Sequence, residues 1–300
     1  MTLTANPAAA RSAPLNTGFG LMSSSQPTAA AQMAKRNYEV AALREDGSLL
    51  IGQSSAPAIP LFENAFSALT HGSLVQTTTG PVAVEDLQPG DMVTTATGEA
   101  AELVWVGTST FSPAETGKRT TLVRIMPNAL GQSRPERSLT VGPGARILHT
   151  PAALRGVADG RQLLTAASRL VDGVNVIQIT PPTAVRLFHI CLSRHAVINV
   201  DGIEMESFHP GVDATRDITP SLRDRFISMF PRISNLSDFG PLAHPRAPEP
   251  DANSQCARSS SQACKRSRSS KTSNGTPGSS LAFRITNEVF TLATLGAVNS

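Results

Sequence analysis

Between Gly72 and Gly211 the chain is a succession of short β-branched or aliphatic runs, each closed by glycine, proline or aspartate. The runs are Leu74–Thr77, Pro81–Val84, Met92–Thr95, Ala101–Ser109, Thr120–Ile125, Leu139–Val141, Arg146–His149, Val174–Ile179, Val185–Cys191 and Ala196–Val200. Between them stand turn-forming groups such as Thr79-Gly80, Gln88-Pro89-Gly90-Asp91, Thr97-Gly98, Gly142-Pro143-Gly144, Asp172-Gly173 and Asp201-Gly202. Runs this short, bounded this often by residues that accept turn geometry, predict an all-β domain of antiparallel strands. The strand-helix-strand rhythm of a parallel sheet is missing, and only Leu163 to Val171 leaves room for one or two helical turns.

The flanks read differently. Residues 1–35 are rich in Ala, Ser, Thr and Pro without an apolar period, so they are expected to be disordered. Residues 36–62 are expected to form a short β-hairpin, because Tyr38–Leu43 and Ser48–Ile51 flank Glu45-Asp46-Gly47. Residues 213–244 are expected to be loosely attached, with one short helix over Leu222–Phe230 that stops at Pro231. Residues 245–300 form a Ser-rich basic tail whose apolar end, Leu281 to Leu295, suits either a strand pair or an amphipathic segment.

Composition closes off several classes. Hydrophobic residues are 40% of the chain and charged ones 16%, which suits a globular core better than a disordered polyelectrolyte. No stretch reaches the roughly 18 apolar residues of a membrane helix, and no conventional signal peptide is evident, so a cytoplasmic or non-classically secreted protein is expected. Cys191, Cys256 and Cys264 are too few for a disulfide framework and lack paired CxxC spacing; no metal and no cofactor is expected. The net charge of +3 owes much to the run from Arg258 to Lys271, which could meet nucleic acid or an anionic surface but lacks interleaved aromatic residues.

The segment Gly72-Ser-Leu-Val-Gln-Thr-Thr-Thr-Gly-Pro-Val-Ala-Val-Glu-Asp-Leu-Gln-Pro-Gly-Asp-Met-Val93 resembles the opening of Hint (Hedgehog/intein) domains. Later stretches match in order: Val104–Gly107, Val123–Gly131, Arg137–Pro143 and Arg186–Phe208. The likeness spans about Phe66 to Gly211, is similar to the bacterial branch of the family, and assigns a Hint domain to residues 63–212. It implies a curved, pseudo-two-fold all-β horseshoe of hairpins. It also implies self-processing, in which a Cys or Ser side chain at the first position attacks the preceding carbonyl, with the chain's own polypeptide as substrate.

That reaction needs a nucleophile, a proton acceptor and donors for the oxyanion. Counting back from Gly72, Ala68 stands at the nucleophile position and Leu69 where an aromatic residue is usual. In the block resembling Ser-Pro-x-His-Arg the chain reads Gly142-Pro-Gly-Ala-Arg146, so Ala145 replaces the histidine. Cys191 and Ala196 stand where relatives carry acidic residues. The remaining candidates are the hydroxyls of Ser67, Thr70 and Ser73 and the imidazoles of His149, His189 and His195. Glu204, Glu206 and Ser207 keep the family's ending and either cap a turn, the simpler account, or support the active cleft; Asp91 is read as a turn acceptor, Trp105 as core and Cys191 as a small buried residue. The expectation is a monomeric domain with an intact fold and degenerate chemistry. The alternatives are autoproteolysis through a hydroxyl, and a binding module that presents the basic tail.

Overall fold

The computed structural model describes residues 34–112, 121–211, 214–216 and 218–248. The calls on residues 1–33, on the basic run Arg258–Lys271 and on the apolar end Leu281–Leu295 lie outside the described residues, as do Cys256 and Cys264.

The strands are β1 (Lys35–Leu43), β2 (Leu49–Pro57), β3 (Leu69–Thr70), β4 (Leu74–Thr77), β5 (Gly80–Ala83), β6 (Met92–Thr94), β7 (Ala100–Phe111), β8 (Leu122–Ile125), β9 (Leu139–Val141), β10 (Arg146–Leu148), β11 (Leu164–Ala166), β12 (Val176–Ile179), β13 (Val185–Leu192), β14 (Val197–Val200) and β15 (Ile203–Glu206). Helices are short: α1 (Pro60–Ala65), α2 (Arg155–Ala158) and α3 (Pro220–Ile227). All pairings between these strands are antiparallel, and hydrogen bonds run β11-β10-β15-β14-β4-β6-β7-β13-β3-β9-β8-β12, with β5 on β4 and the β1–β2 hairpin on β7. The architecture is all-β, as the turn spacing predicts.

Strand β7 organises the whole. Its first three residues pair with β6, and from Leu103 onward it pairs with β13. Residues Trp105–Ser109 also pair with β1, so this half has a neighbour on each edge. Strand β1 alternates buried Arg36, Tyr38, Val40 and Ala42 with exposed residues, the period-2 pattern of a strand with one covered face.

Two apolar clusters follow. The larger gathers aliphatic residues from the strands, including Val75, Leu103, Ile125, Val141, Ile190 and Val200. The second is aromatic: Tyr38, Phe62, Phe66, Trp105, Phe208, Phe226, Phe230 and Phe239. Trp105 stacks on Phe230 at 4.5 Å between ring centres and donates its indole N–H to the Met229 carbonyl at 2.8 Å.

The segment expected to be loose is therefore part of the core. Helix α3 starts at Pro220 rather than Leu222, and Phe226, Met229, Phe230 and Phe239 are all buried against Trp105 and Phe208. The first compact unit runs to Ala247, past the expected start of the tail at residue 245. Leu163–Val171 divides into β11 and a 3-10 turn over Ala167–Leu170. Trp105→Phe, which leaves the buried Met229 carbonyl without its donor, is expected to lower unfolding stability by about 1–3 kcal/mol, read by chemical denaturation followed by circular dichroism.

Candidate functional site

The approach to the domain is built by α1. Pro60 sets its first turn, Phe62 and Ala65 face the core, and the chain turns at Phe66 and passes through Ser67 and Ala68 into β3. These residues are clamped by backbone bonds from two sides. Ala68 N–H donates to the Phe188 carbonyl at 2.9 Å, and Leu69 pairs with Val141. Across the turn after β9, Gly142 N–H donates to the Ala68 carbonyl and Gly144 N–H to the Ser67 carbonyl, each at 2.9 Å.

That contact needs bare α-carbons. A Cβ on Gly142 would lie 2.1 Å from the Ser67 carbonyl oxygen, and one on Gly144 would lie 2.2 Å from that of Asn64. Position 68 and the turn at 142–145, more than seventy residues apart in sequence, thus meet at one backbone junction, and Ala68 and Ala145 are both buried with about 1% exposure. The Gly144 N–H lies on the carbonyl that precedes position 68.

The family model for the Hint domain matches residues 67–212. Those residues are a Hint domain. Among solved structures, a bacterial intein-like domain from Clostridium thermocellum matches with 15% identity over 48% of this chain and 99% of its own, TM-score 0.33. The gp41-1 intein matches with 13% identity over 47% of this chain and 98% of its own, TM-score 0.31. A DnaB intein from Synechocystis gives 15%, 47% and 99%, TM-score 0.29. A search of curated proteins returned no match.

Within the Hint domain the hydroxyl candidates are placed as follows. Ser67 is fully buried and its Oγ bonds none of the described residues. Thr70 donates to the Thr140 carbonyl at 2.9 Å, and Ser73 to the Thr70 carbonyl at 2.8 Å. Both therefore direct their protons at backbone acceptors, and no imidazole takes part in either bond.

The histidines divide between two places. His189, on β13 next to the Phe188 that bonds Ala68, donates Nδ1–H to the Asn64 carbonyl at 3.0 Å and packs edge-on to Phe208. Burial pushes its pKa down to about 4, against smaller upward pulls from Asn64 and Glu206. It is a neutral ring. His149 follows β10, half-buried, with its pKa lowered by burial and then by Arg134 and Arg155. His195 bonds Glu206 Oε1 at 3.1 Å through Nε2 and accepts the Ala243 N–H at Nδ1, so neither nitrogen faces residue 67.

Glu206 is not a turn cap. It is the final residue of β15, 5% exposed, and its carboxylate faces His195 and the guanidiniums of Arg246 and Arg146. Burial would raise its pKa, yet the His195 bond and the two arginines hold it below the usual carboxylate range. Ser207 accepts the Ala196 N–H, and Glu204 pairs with Arg134. Asp91 accepts the Gln88 amide as a turn residue, Trp105 is core, and burial pushes the Cys191 thiol up to about 12. Among the described residues no group of three or more His, Cys, Asp or Glu is placed to hold a metal, and no helix is long and apolar enough to cross a membrane.

Arg246 was invisible to the motif reading. It lies in a stretch whose only local signal is Pro245-Arg-Ala-Pro248, and its partner is forty residues upstream.

Proposed function

We propose that this Hint domain has kept its fold and lost self-processing, and that it serves as a folded scaffold. The reading is carried by position 68, where a methyl group stands at the point from which the Ser67 carbonyl would be attacked. A second alanine, Ala145, supplies no imidazole to the same junction. The surviving Gly144 N–H is an oxyanion donor without a nucleophile to generate the oxyanion. The geometry of Thr70 and Ser73, both committed as donors to carbonyls, supports the same reading. The packing of Phe66 against Tyr38 and Trp105 does so too, because the residues before the domain are part of its core.

The test is intact-mass analysis of the full chain after incubation with and without dithiothreitol or hydroxylamine. A single unbroken mass is expected throughout. Ala68→Cys is expected to remain nearly silent as well, since general acid–base assistance is worth about 10²–10⁴-fold and Ala145 offers none. A new N-terminus between residues 66 and 73 in the unaltered chain would overturn the proposal and identify a hydroxyl at Ser67, Thr70 or Ser73 as the nucleophile. Salt-dependent binding to an anionic polymer, lost on deleting residues 256–271, would instead assign the chain's role to its basic tail.

A further inference from the structure

The last part of the first compact unit lies along β11, held by main-chain bonds and by one arginine. Residues 243–247 run alongside β11, where Leu164 N–H donates to the Pro245 carbonyl at 2.9 Å and Ala247 N–H donates to the Leu164 carbonyl at 3.0 Å. Arg246 and Leu164 form a parallel bridge, against an otherwise antiparallel sheet. Upstream, Ala243 N–H donates to His195 Nδ1 at 2.9 Å.

Between these backbone anchors the Arg246 side chain meets three acceptors. Its Nε donates to Glu206 Oε1 at 2.9 Å, Nη1 to the Pro210 carbonyl at 3.3 Å and Nη2 to the His209 carbonyl at 2.5 Å. With Arg246 in place the Glu206 side chain is only 3% exposed, and His195 and Arg146 face the same carboxylate. Room for the guanidinium exists because residue 211 is glycine: a Cβ there would lie 2.4 Å from Arg246 Nη1. The next residue, Ala247, is buried with Ala158 and Leu163, where a small side chain fits.

One carboxylate and two carbonyls arranged around a planar fork select arginine over lysine, whose ammonium is a single point donor. Main-chain pairing to β11 on both sides of that residue requires an extended backbone, the mode by which peptides add to a sheet. The occupying segment is the last stretch of the first compact unit, which closes at Ala247, and none of its residues belongs to a strand of the sheet.

We propose that this place along β11 is a binding site for an arginine in an extended peptide, filled in cis by residues 243–247, and that an arginine-bearing extended segment of another protein takes the same place when the strap lets go. The site holds whether or not the chain processes itself, because none of its groups belongs to the junction at residues 67–68.

The experiment titrates the full chain with a dye-labelled, end-blocked peptide, Pro-Leu-Ala-His-Pro-Arg-Ala-Pro, followed by fluorescence anisotropy. A tethered segment competes at an effective concentration of about millimolar, so the unaltered chain is expected to bind weakly. The full-length Arg246→Ala variant, whose arginine subsite is empty, is expected to bind the peptide at least roughly tenfold more tightly, and to bind an Arg-to-Ala peptide at least roughly tenfold less well than the arginine peptide. If that variant loses its fold by circular dichroism, Arg246→Lys, which keeps a charge beside Glu206, carries the same comparison. A folded variant that does not distinguish the arginine peptide from its alanine counterpart overturns the proposal.

Discussion

Gly144→Ala is expected to be the most damaging single-methyl change in this protein, costing about 3 kcal/mol or more of unfolding stability and lowering the yield of folded chain. The added Cβ would sit 2.2 Å from the Asn64 carbonyl oxygen and 3.0 Å from its carbon, and these are backbone atoms that cannot rotate away. Relief requires moving either the turn between β9 and β10 or the end of α1. Moving the turn breaks the Gly144 N–H bond to Ser67, and moving α1 disturbs Phe62, Ala65 and Phe66, all fully buried. Gly142→Ala is expected to act similarly through its 2.1 Å approach to the Ser67 carbonyl oxygen. Gly47→Ala, at a hairpin turn where an added Cβ meets nothing within 4 Å, is the control, with only the cost of its positive φ. Thermal and denaturant unfolding followed by circular dichroism measure all three. Equal, small losses at the three positions would mean that the junction yields and that residues 64–68 are less firmly held than their bonds suggest.

The same junction marks what a sequence does and does not display. The strand runs were legible because each has β-branched residues between glycine- or proline-bearing turns: Leu74–Thr77 and Leu139–Val141 coincide with β4 and β9 residue for residue. The Asp46-Gly47 turn was legible because Asp46 accepts the Ser48 amide and Gly47 takes a positive φ, both local demands. Strand β3 was not, since two residues carry no period. Helix α1 was missed for a related reason: six residues make fewer than two turns, too few for an apolar stripe to repeat. Strand β15 was hidden by its own chemistry, because Glu206 reads as a turn cap until Arg246 and His195 are placed around it. The resemblance aligns Ala68 and Ala145 with reactive positions, and the sheet brings the two segments that carry them together through Leu69 on Val141 and Gly142 on Ala68. It carried no information on the strap or on α3. Helix α3 docks because Trp105 and Phe208 meet Phe226 and Phe230, and the strap because Arg246 meets Glu206 and Leu164, non-local contacts with no local pattern.

Acidification is expected to weaken the fold well before its carboxylates are neutralised, and His189 is the main reason. Its pKa lies at about 4 in the folded protein against 6.5 for the free side chain, with burial as the largest cause. Between those values the unfolded chain binds the proton and the folded chain does not, so stability rises with pH across this window and falls as pH is lowered through it. The shift of 2.5 units, at 1.36 kcal/mol each, corresponds to about 3 kcal/mol lost between pH 6.5 and pH 4. His149 and His209, also lowered by burial, act in the same direction. The lowered pKa values of Asp172 and Asp238 act only below the ordinary carboxylate range, so they do not contribute to this window. His189→Asn keeps an N–H that can serve the Asn64 carbonyl but does not titrate. Urea unfolding at pH 7.0, 5.5 and 4.5 is expected to show a steep loss for the unaltered chain and a visibly shallower one for the variant. Parallel curves would assign the acid sensitivity to the other histidines. A shallower curve would place the first acid-induced opening at the contact between β13 and the end of α1, the wall on which the Ser67–Ala68 peptide rests.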